Sequence, residues 1–321
     1  MVLKYPIFYI LLLFFPAIAL SNENSDDNLR DWLNAITTSG LEHSYEGTFV
    51  YRCNAQIIAM KIVHSADGRR EQEKITSLNG PTHQIVQEGR SLTSSFKGST
   101  KLVLQGQPSA DSLLGRAPNL DEILNAHYQV SAKGKDRVAG RETRILHIVP
   151  NDQYRYGYDL WLDKQTGLVL RSDMVDRAGH IIEQVMFTDI SLIDYEQAQA
   201  QIKASNDGVA EEVKSSEGDL SASAKWLTEA QPAGFVLTEH YIKPASEVQV
   251  QYEHMVLSDG LASVSVFIEK VSPNSESLVG QKKMGAVNAF GRVVSDYQVT
   301  VVGDVPAVTV ELIAQSVRSE L

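Results

Sequence analysis

The sequence contains few of the residues from which covalent cross-links and metal centres are built. Cys53 is the only cysteine in 321 residues, so an intrachain disulfide and a cysteine-ligated metal site are both excluded. The eight histidines are scattered, and no two of them are four residues apart, as a metal-binding pair on a helix requires. We therefore expect neither a metal nor a cofactor.

Basic residues are also in short supply. Lysine and arginine number 29 against 40 aspartate and glutamate residues, which gives a net charge of -11 at pH 7. Nucleic acids and anionic membrane surfaces attract positively charged proteins. The charge therefore argues against either of them as the main partner, while a hydrophobic content of 43% is typical of a globular protein.

The sequence motifs of common catalytic sites are missing. There is no G-x-S-x-G elbow, H-E-x-x-H helix, P-loop or G-x-G-x-x-G turn. Strands and helices do not alternate in the pattern of a nucleotide-binding α/β fold. We expect that the protein is not an enzyme. An exported hydrolase is the weaker alternative, because no nucleophile and base are assembled.

The amino terminus has the pattern of a secretory signal peptide. Lys4 precedes an apolar run over residues 7–15, Pro16 ends this run, and residues 17–19 form an A-x-A cleavage site. The run is shorter than the roughly 20 residues that a membrane-spanning helix needs. We predict a cleaved signal peptide over residues 1–19 and an exported mature protein, with an uncleaved anchor as the alternative.

Most of the segment 45–189 alternates between apolar and polar side chains. This pattern predicts about eleven β-strands, and their short connections favour an antiparallel meander. Helices are predicted over residues 27–38 and 119–127. These elements form a first domain over residues 20–195.

A change of composition separates this domain from the C-terminal part. Residues 196–224 contain no aromatic residue and carry six acidic against two basic side chains, which predicts an acidic flexible linker. Beyond it, a hairpin turn at Asp259-Gly260 and a helix after Pro306 predict a small antiparallel sheet with one C-terminal helix over residues 225–321.

Several predicted strands are apolar on both faces, which a solvated antiparallel sheet does not require. Cover on both sides is expected, by helices on one and by a lipid or peptide on the other, so that a strongly curved sheet would enclose a cavity. The alternative is that the same side chains fill a core. The alternation gives these candidates for the lipid cavity: Phe49, Tyr51, Met60, Ile62, Ile85, Leu102, Leu104, Ile145, Met174, Val185 and Phe187.

The segment 154–161 is the most distinctive part of the chain, because four aromatic residues there alternate with charged ones. A packed cross-strand ladder is the simpler explanation, and a ligand surface is the alternative. We take Tyr154 and Arg155 as candidates for partner contacts on an exposed surface.

Several of these segments resemble the MucB/RseB family. They are Ser-Tyr-Glu-Gly-Thr-Phe-Val-Tyr at 44–51, Asp-Arg-Val-Ala-Gly-Arg at 136–141, Tyr-Arg-Tyr-Gly-Tyr at 154–158 and Val-Val-Gly-Asp-Val-Pro at 301–306. The resemblance covers nearly the whole mature chain in order. The sequence departs from the family at 226–235, where four residues separate Trp-Leu from Pro-Ala-Gly-Phe.

The resemblance implies a mainly β (α+β) fold, with a large unclosed antiparallel β-barrel of the LolA/LolB type under covering helices, plus the smaller sheet. It also implies a periplasmic negative regulator of the envelope-stress sigma factor. Such a regulator binds the periplasmic region of an RseA/MucA-type anti-sigma factor and shields it from the site-1 protease. Lipopolysaccharide or another acyl lipid weakens the shield, and no catalytic residues are implied.

The main rival is a periplasmic lipid or lipoprotein carrier that uses the same half-barrel for transport. The acidic linker and the second domain count against it, because a simple carrier needs neither. The identity of the lipid and the existence of a homo-oligomer both stay open at this point.

Overall fold

The computed structural model describes residues 25–80, 83–88, 91–96, 101–105, 127–204, 212–214, 226–243, 251–271 and 277–319. The predicted signal peptide and nearly all of the helix predicted over 119–127 lie outside these ranges. The described part contains twenty strands and three helices, so the fold is mainly β, as predicted. The helices of the described part include none that is long and apolar enough to span a membrane.

The larger of two main sheets has twelve strands in the order β12-β6-β5-β4-β3-β2-β1-β11-β10-β9-β8-β7, and it is not closed into a barrel. Strands β1 to β6 and strands β7 to β11 each form an antiparallel meander, as predicted, and the two meanders join where β1 pairs with β11. Their bounds are β1 (Tyr45–Cys53), β2 (Gln56–Ala66), β3 (Glu71–Ser77), β4 (His83–Glu88), β5 (Ser91–Phe96), β6 (Lys101–Gln105), β7 (Tyr128–Val138), β8 (Arg141–Pro150), β9 (Gly157–Asp163), β10 (Val169–Val175) and β11 (Ile181–Leu192).

The twelfth strand corrects part of the linker prediction. Strand β12 (Glu212–Lys214) lies within the acidic segment 196–224 and pairs in parallel with β6. A sheet edge presents unpaired backbone N–H and C=O groups, and a short extended segment satisfies them whatever its composition. Acidic composition therefore did not exclude β-pairing at these three residues.

The smaller sheet has six strands in the order β14-β15-β16-β19-β18-β17, and a separate pair joins β13 to β20. The predicted Asp259-Gly260 turn is confirmed, since it follows β15 and leads into β16. The strands are β13 (Trp226–Thr228), β14 (Val236–Lys243), β15 (Tyr252–Ser258), β16 (Ser263–Lys270), β17 (Gly280–Met284), β18 (Val287–Val294), β19 (Tyr297–Gly303) and β20 (Val317–Ser319).

A C-terminal helix covers one face of the smaller sheet. Helix α3 (Ala307–Ser316) begins directly after Pro306, as predicted, because proline lacks the N–H that a first helical turn leaves unpaired. Its apolar residues recur at helical spacing and are fully buried against alternate residues of β16 and β19. The buried set is Val310, Ile313 and Ala314 with Val264, Val266, Ile268, Val299 and Val301.

Two further helices cover opposite faces of the larger sheet. Helix α1 (Ser25–Glu42) packs Leu33 and Ile36 on Leu146, Ile148 and Leu162. Helix α2 (Tyr195–Lys203) packs Ala198 and Ile202 on Val63. Helices on both sides explain much of the two-sided apolarity that the sequence shows.

A buried histidine ties the end of α1 to the larger sheet. The Nε2 atom of His64 lies 2.7 Å from the carbonyl oxygen of Gly40, and its Nδ1 atom lies 3.6 Å from the Glu73 carboxylate. The imidazole is stacked on the ring of Tyr45. Burial lowers the pKa of His64, but the partners Glu73 and Gly40 and the charge of Glu71 outweigh burial and raise it overall. Both ring nitrogens face acceptors, so the doubly protonated form suits this position best.

We predict that replacing His64 by glutamine (His64→Gln) flattens the pH dependence of stability. Because the folded-state pKa lies above the unfolded value, the stabilisation is fully present below about pH 6.5 and is lost as the pH rises through the folded-state pKa. The unfolding free energy of the wild type is therefore expected to fall with rising pH more steeply than that of the variant. Chemical denaturation at a series of pH values measures both slopes.

The matched control is His180→Gln, because the His180 side chain lies on an exposed turn. This variant is expected to keep the wild-type slope. If His64→Gln also keeps it, the imidazolium does not hold α1 in the way described.

Candidate partner and lipid regions

The strand register brings most of the predicted cavity residues onto one face of the larger sheet. Phe49 lies opposite Met60 on one side and opposite Phe187 on the other. Tyr51 lies opposite Val185 in the same way. Directly opposed residues of antiparallel strands project from the same face of the sheet. We refer to this side of the sheet as the apolar face.

The apolar face continues toward the other end of the sheet. Ile62 lies opposite Ile75, Ile75 opposite Ile85, and Ile85 opposite Ser94. Ser94 is in turn opposite Leu102, and Leu92 is opposite Leu104. The strand register thus places Ile62 and Ile85 on the apolar face, and the role of the predicted residues in binding a lipid stays a prediction.

The apolar face is packed to different degrees along its length. Phe49 and Ile62 are 0% exposed, and Val185 and Phe187 are each 2% exposed. The rings of Phe49 and Phe187 lie 5.9 Å apart, so these four side chains fill a core. Tyr51, Met60 and Ile85 are only partly buried. The accessible part of the apolar face thus extends from Met60 toward β3 and β4, where Ile75 and Ile85 are also partly buried.

Two predicted cavity residues lie elsewhere. Ile145 is opposite Trp161 and next to Leu146, which lies on the apolar face, so by register Ile145 projects from the other face. It is nevertheless partly buried against the cluster that contains Phe49 and Phe187. Met174 is on the apolar side by register, but it is buried against Tyr156 and against Ala286 of the smaller sheet. Alternation in the sequence did not predict the facing of Ile145, because β-bulges shift the phase between strands. It did not predict the contact made by Met174, because that contact comes from a distant part of the chain.

The expected exposure of Arg155 is wrong. Its side chain is completely buried between the two sheets. The guanidinium pairs with the Asp152 carboxylate, donates from Nε to the Asp259 carboxylate at 2.5 Å, and donates to the backbone carbonyl of Ala233. A buried guanidinium stays charged and needs an acceptor for each of its donors, which explains why three partners converge on it.

The contacts around Arg155 join the two sheets, and we refer to them as the inter-sheet contact. Asp259 directly follows strand β15, and its Oδ2 atom also accepts a hydrogen bond of 2.9 Å from the hydroxyl of Tyr128 on β7. The Arg155 guanidinium lies over the rings of Phe235 at 4.9 Å and of Tyr128 at 5.7 Å. Burial, and next the charge of Asp259, raise the pKa of Tyr128, so its hydroxyl remains a donor. The centre of the contact is thus a desolvated ion pair between aromatic rings.

The residues on either side of Arg155 extend the inter-sheet contact. The Tyr154 carbonyl accepts a hydrogen bond of 2.8 Å from the Thr309 hydroxyl on α3. The Tyr156 hydroxyl accepts one of 3.1 Å from the Asn288 amide on β18. Tyr154 itself is partly exposed, so its role as a partner contact stays a prediction.

Sequence reasoning missed the members of this contact that come from the smaller sheet. Asp259 was assigned only to a turn, which it does stabilise by accepting from the N–H groups of Leu261 and Ala262. Gly234 has a φ of 86°, and a Cβ atom there would overlap the His127 ring, so glycine is required beside the Ala233 carbonyl. The Pro-Ala-Gly-Phe turn was visible in the sequence, but nothing local showed that it faces Arg155.

Comparison with known proteins identifies relatives over almost the entire chain. The MucB regulatory protein of sigma factor AlgU from Pseudomonas aeruginosa is 31% identical over 301 residues, which is 90% of each chain. The sigma-E factor regulatory protein RseB from Haemophilus influenzae is 28% identical over 86% of each chain.

Solved structures give the same relationship. A crystal structure of MucB bound to the periplasmic part of MucA matches with a TM-score of 0.69 and 28% identity, over 91% of this chain and 99% of that one. The MucA/MucB complex of Pseudomonas aeruginosa matches with a TM-score of 0.70 and 27% identity, over 92% and 99% of the two chains.

The family models for the two domains match in chain order. The MucB/RseB N-terminal domain matches residues 28–207, which contain the apolar face and Arg155. The MucB/RseB C-terminal domain matches residues 221–318, which contain Asp259, Asn288 and Thr309. Together the two matches cover most of the sequence. The chain therefore belongs to the MucB/RseB family.

Proposed function

We propose that this protein is a periplasmic regulator of an envelope-stress sigma factor, and that it acts by binding the periplasmic region of an RseA/MucA-type anti-sigma factor. The observation that carries the proposal is the likeness, at 28% identity, to nearly all of a MucB chain that was crystallised with MucA. The signal peptide pattern at residues 1–19 supports a periplasmic location.

The inter-sheet contact supports binding of the partner across both domains. A segment that touches two domains at once binds best when their relative position is already fixed, because less freedom is lost on binding. Arg155 and Asp259 fix this position through a fully buried ion pair. The partner surface is therefore expected to span the two domains rather than to lie on one of them.

Shielding of the anti-sigma factor from the site-1 protease follows as the next step of the proposal. A bound segment is cleaved only while it is dissociated, so the protein is expected to slow cleavage in proportion to its occupancy. An acyl lipid can release the partner only if it binds more tightly to another domain arrangement than to the partner-bound one.

We place the acyl chain on the part of the apolar face around Met60, Ile75 and Ile85. These side chains are only partly buried, whereas the cluster around Phe49 is fully packed. The packed cluster gives no support to a carrier with a wide cavity, so we propose only the regulator. In addition, Met174 on the apolar side of β10 contacts Ala286 of the C-terminal domain. This contact gives a route by which lipid binding could be coupled to the position of that domain.

We predict that the protein protects the periplasmic segment of the anti-sigma factor from the site-1 protease, and that added lipopolysaccharide removes this protection. Ile85→Asn is expected to protect normally but to lose the response to lipopolysaccharide, because it places an amide where the acyl chain would lie. The rate at which full-length segment disappears on a gel measures both effects.

The matched control is Ile57→Asn, because Ile57 is 61% exposed and its strand position faces away from Ile85. This variant is expected to behave as wild type. Equal cleavage with and without the protein contradicts the regulatory function itself. Normal protection with a normal lipid response in Ile85→Asn contradicts only the placement of the lipid.

We also predict that Asp259→Asn weakens partner binding by loosening the two domains. The substitution removes the negative charge that balances the buried Arg155 and leaves one neutral oxygen acceptor, and breaking one side of a buried ion pair typically costs about 3–5 kcal/mol. Small-angle X-ray scattering is expected to show a larger radius of gyration, and calorimetry a lower affinity for the anti-sigma segment.

Asp189→Asn makes the same change of charge at an exposed position of β11 and serves as the control. It is expected to keep the wild-type dimensions and affinity. An Asp259→Asn protein that is as compact as wild type and binds equally well shows that the ion pair does not set the domain arrangement.

A further inference from the structure

The turn between β17 and β18 of the C-terminal domain is seated on the N-terminal domain, beside the inter-sheet contact. The side chain of Ala286 in this turn is 1% exposed. It packs in one cluster with Tyr156 and Met174, and Ile182 on β11 lies against the same cluster. We refer to the two turn residues, Gly285 and Ala286, as the latch.

Gly285 brings the backbone of the latch against the end of strand β1. Its φ is 68°, and a Cβ atom there would overlap the sulfur of Cys53. A residue with a side chain is strained at this φ and is also too large for the space, so glycine is required on both counts. We refer to Cys53, Tyr156, Met174 and Ile182 as the seat of the latch.

The seat is continuous with the apolar face. Tyr51 lies two residues before Cys53 on β1, so both side chains project from this face. Tyr51 is opposite Ile58 on β2, and Ile58 lies two residues before Met60, where we place the acyl chain. Tyr51, Ile58 and Met60 are all partly buried. A path of partly buried apolar side chains therefore leads from Met60 to the latch.

The latch is held by weaker interactions than the inter-sheet contact. Neither of its two residues is charged, and the buried side chain of Ala286 is a single methyl group. The amide of Asn288, two residues along the chain, donates one hydrogen bond of 3.1 Å to the Tyr156 hydroxyl. In contrast, the ion pair of Arg155 and Asp259 is fully buried, and separating it exposes two charges. The latch is therefore expected to open before the inter-sheet contact does.

We propose that the latch and an acyl chain compete for the seat, and that an acyl chain lying along Met60 and Tyr51 lifts the latch from the N-terminal domain. Both occupants would bury the same apolar side chains, so only one of them can be seated at a time. The acyl chain then binds more tightly to the arrangement with the latch lifted, which is the difference in affinity that release of a partner requires. The inference rests on the proposed function and adds the element through which the lipid acts.

The test uses the single cysteine of the chain. In Gly285→Cys, the new Cβ atom would lie 3.9 Å from the Cβ atom of Cys53, which is within the range of disulfide bonds. A seated latch is expected to form this disulfide within one chain when the purified protein is treated with oxidised glutathione. Lipopolysaccharide is expected to slow the reaction at least about fivefold, the lower end of typical coupling between two sites. Non-reducing gel electrophoresis measures the rate.

The matched control is Gly280→Cys, at the other end of β17. Its φ is 81°, and a Cβ atom built there meets nothing within 4 Å in the described part of the chain. The control thus carries the same backbone strain without a thiol partner, and it is expected to form no disulfide within the chain. A folded Gly285→Cys protein that forms none either, or a rate that lipopolysaccharide leaves unchanged, overturns the latch.

The cross-linked protein also shows whether the latch has to lift for release. It is expected to protect the anti-sigma segment as the wild type does, but to need at least about fivefold more lipopolysaccharide for half-maximal release, until the disulfide is reduced. Release at the wild-type concentration contradicts the latch. A wild type that gives no protection contradicts the proposed function instead, and slower cross-linking with lipopolysaccharide, measured without the anti-sigma segment, would still support the latch.

A second pair of variants applies if Gly285→Cys does not fold. Gly285→Ala unseats the latch by overlap with Cys53, and adding Cys53→Ala removes the sulfur that causes the overlap. The single variant is expected to release the segment at about fivefold less lipopolysaccharide, and the double variant is expected to return toward the wild type. Equal responses of the single and the double variant show that this contact does not control release.

Discussion

A single buried charge constrains how the two domains meet. Arg155 is completely buried, and a buried guanidinium needs hydrogen-bond acceptors for its N–H donors. Asp152 supplies one acceptor from the same segment, and Asp259 and Ala233 supply the others from the C-terminal domain. Any arrangement that separates the domains must return this charge to water or give it new partners. The position of the C-terminal domain is thus tied to one side chain of the N-terminal domain.

The same arrangement brings the apolar face close to the domain boundary. Strand β10 pairs with β11, which carries Val185 of the packed cluster, and β10 also carries Met174, which touches Ala286. Tyr158 on β9 packs both against the cluster under α1 and against the cluster that contains Tyr156. A ligand that moved β9 or β10 would therefore act on both regions.

Charged residues on the other face of the larger sheet pair with one another, and the carboxylates of these pairs are buried. Burial would raise the pKa of Asp159, but hydrogen bonds from Lys133 and His147 hold it below its usual range. Arg171 lies over the Trp161 ring and pairs with Asp173, which is 2% exposed.

The alternation of apolar and polar residues in the sequence was sufficient to predict much of the fold. The eleven strands of the N-terminal domain, the Asp259-Gly260 hairpin and the helix after Pro306 all follow from local preferences that the folded chain keeps. The face of Phe49, Met60 and Ile85 was also predictable, because side chains in a strand alternate with a period of two. The register of Ile145, which projects from the other face, was not predictable, since β-bulges change the phase between neighbouring strands and leave no clear mark in the sequence.

The sequence by itself determined which segments are extended, which side chains share a face, and to which family the chain is related. Only the tertiary structure decided that Arg155 is buried, that Met174 contacts the C-terminal domain, and that Glu212–Lys214 joins the larger sheet. The physical reason is that an isolated arginine in a polar-aromatic segment suits an exposed surface equally well. Its burial depends on an acceptor 104 residues away at Asp259, and no local pattern records a pairing over that distance.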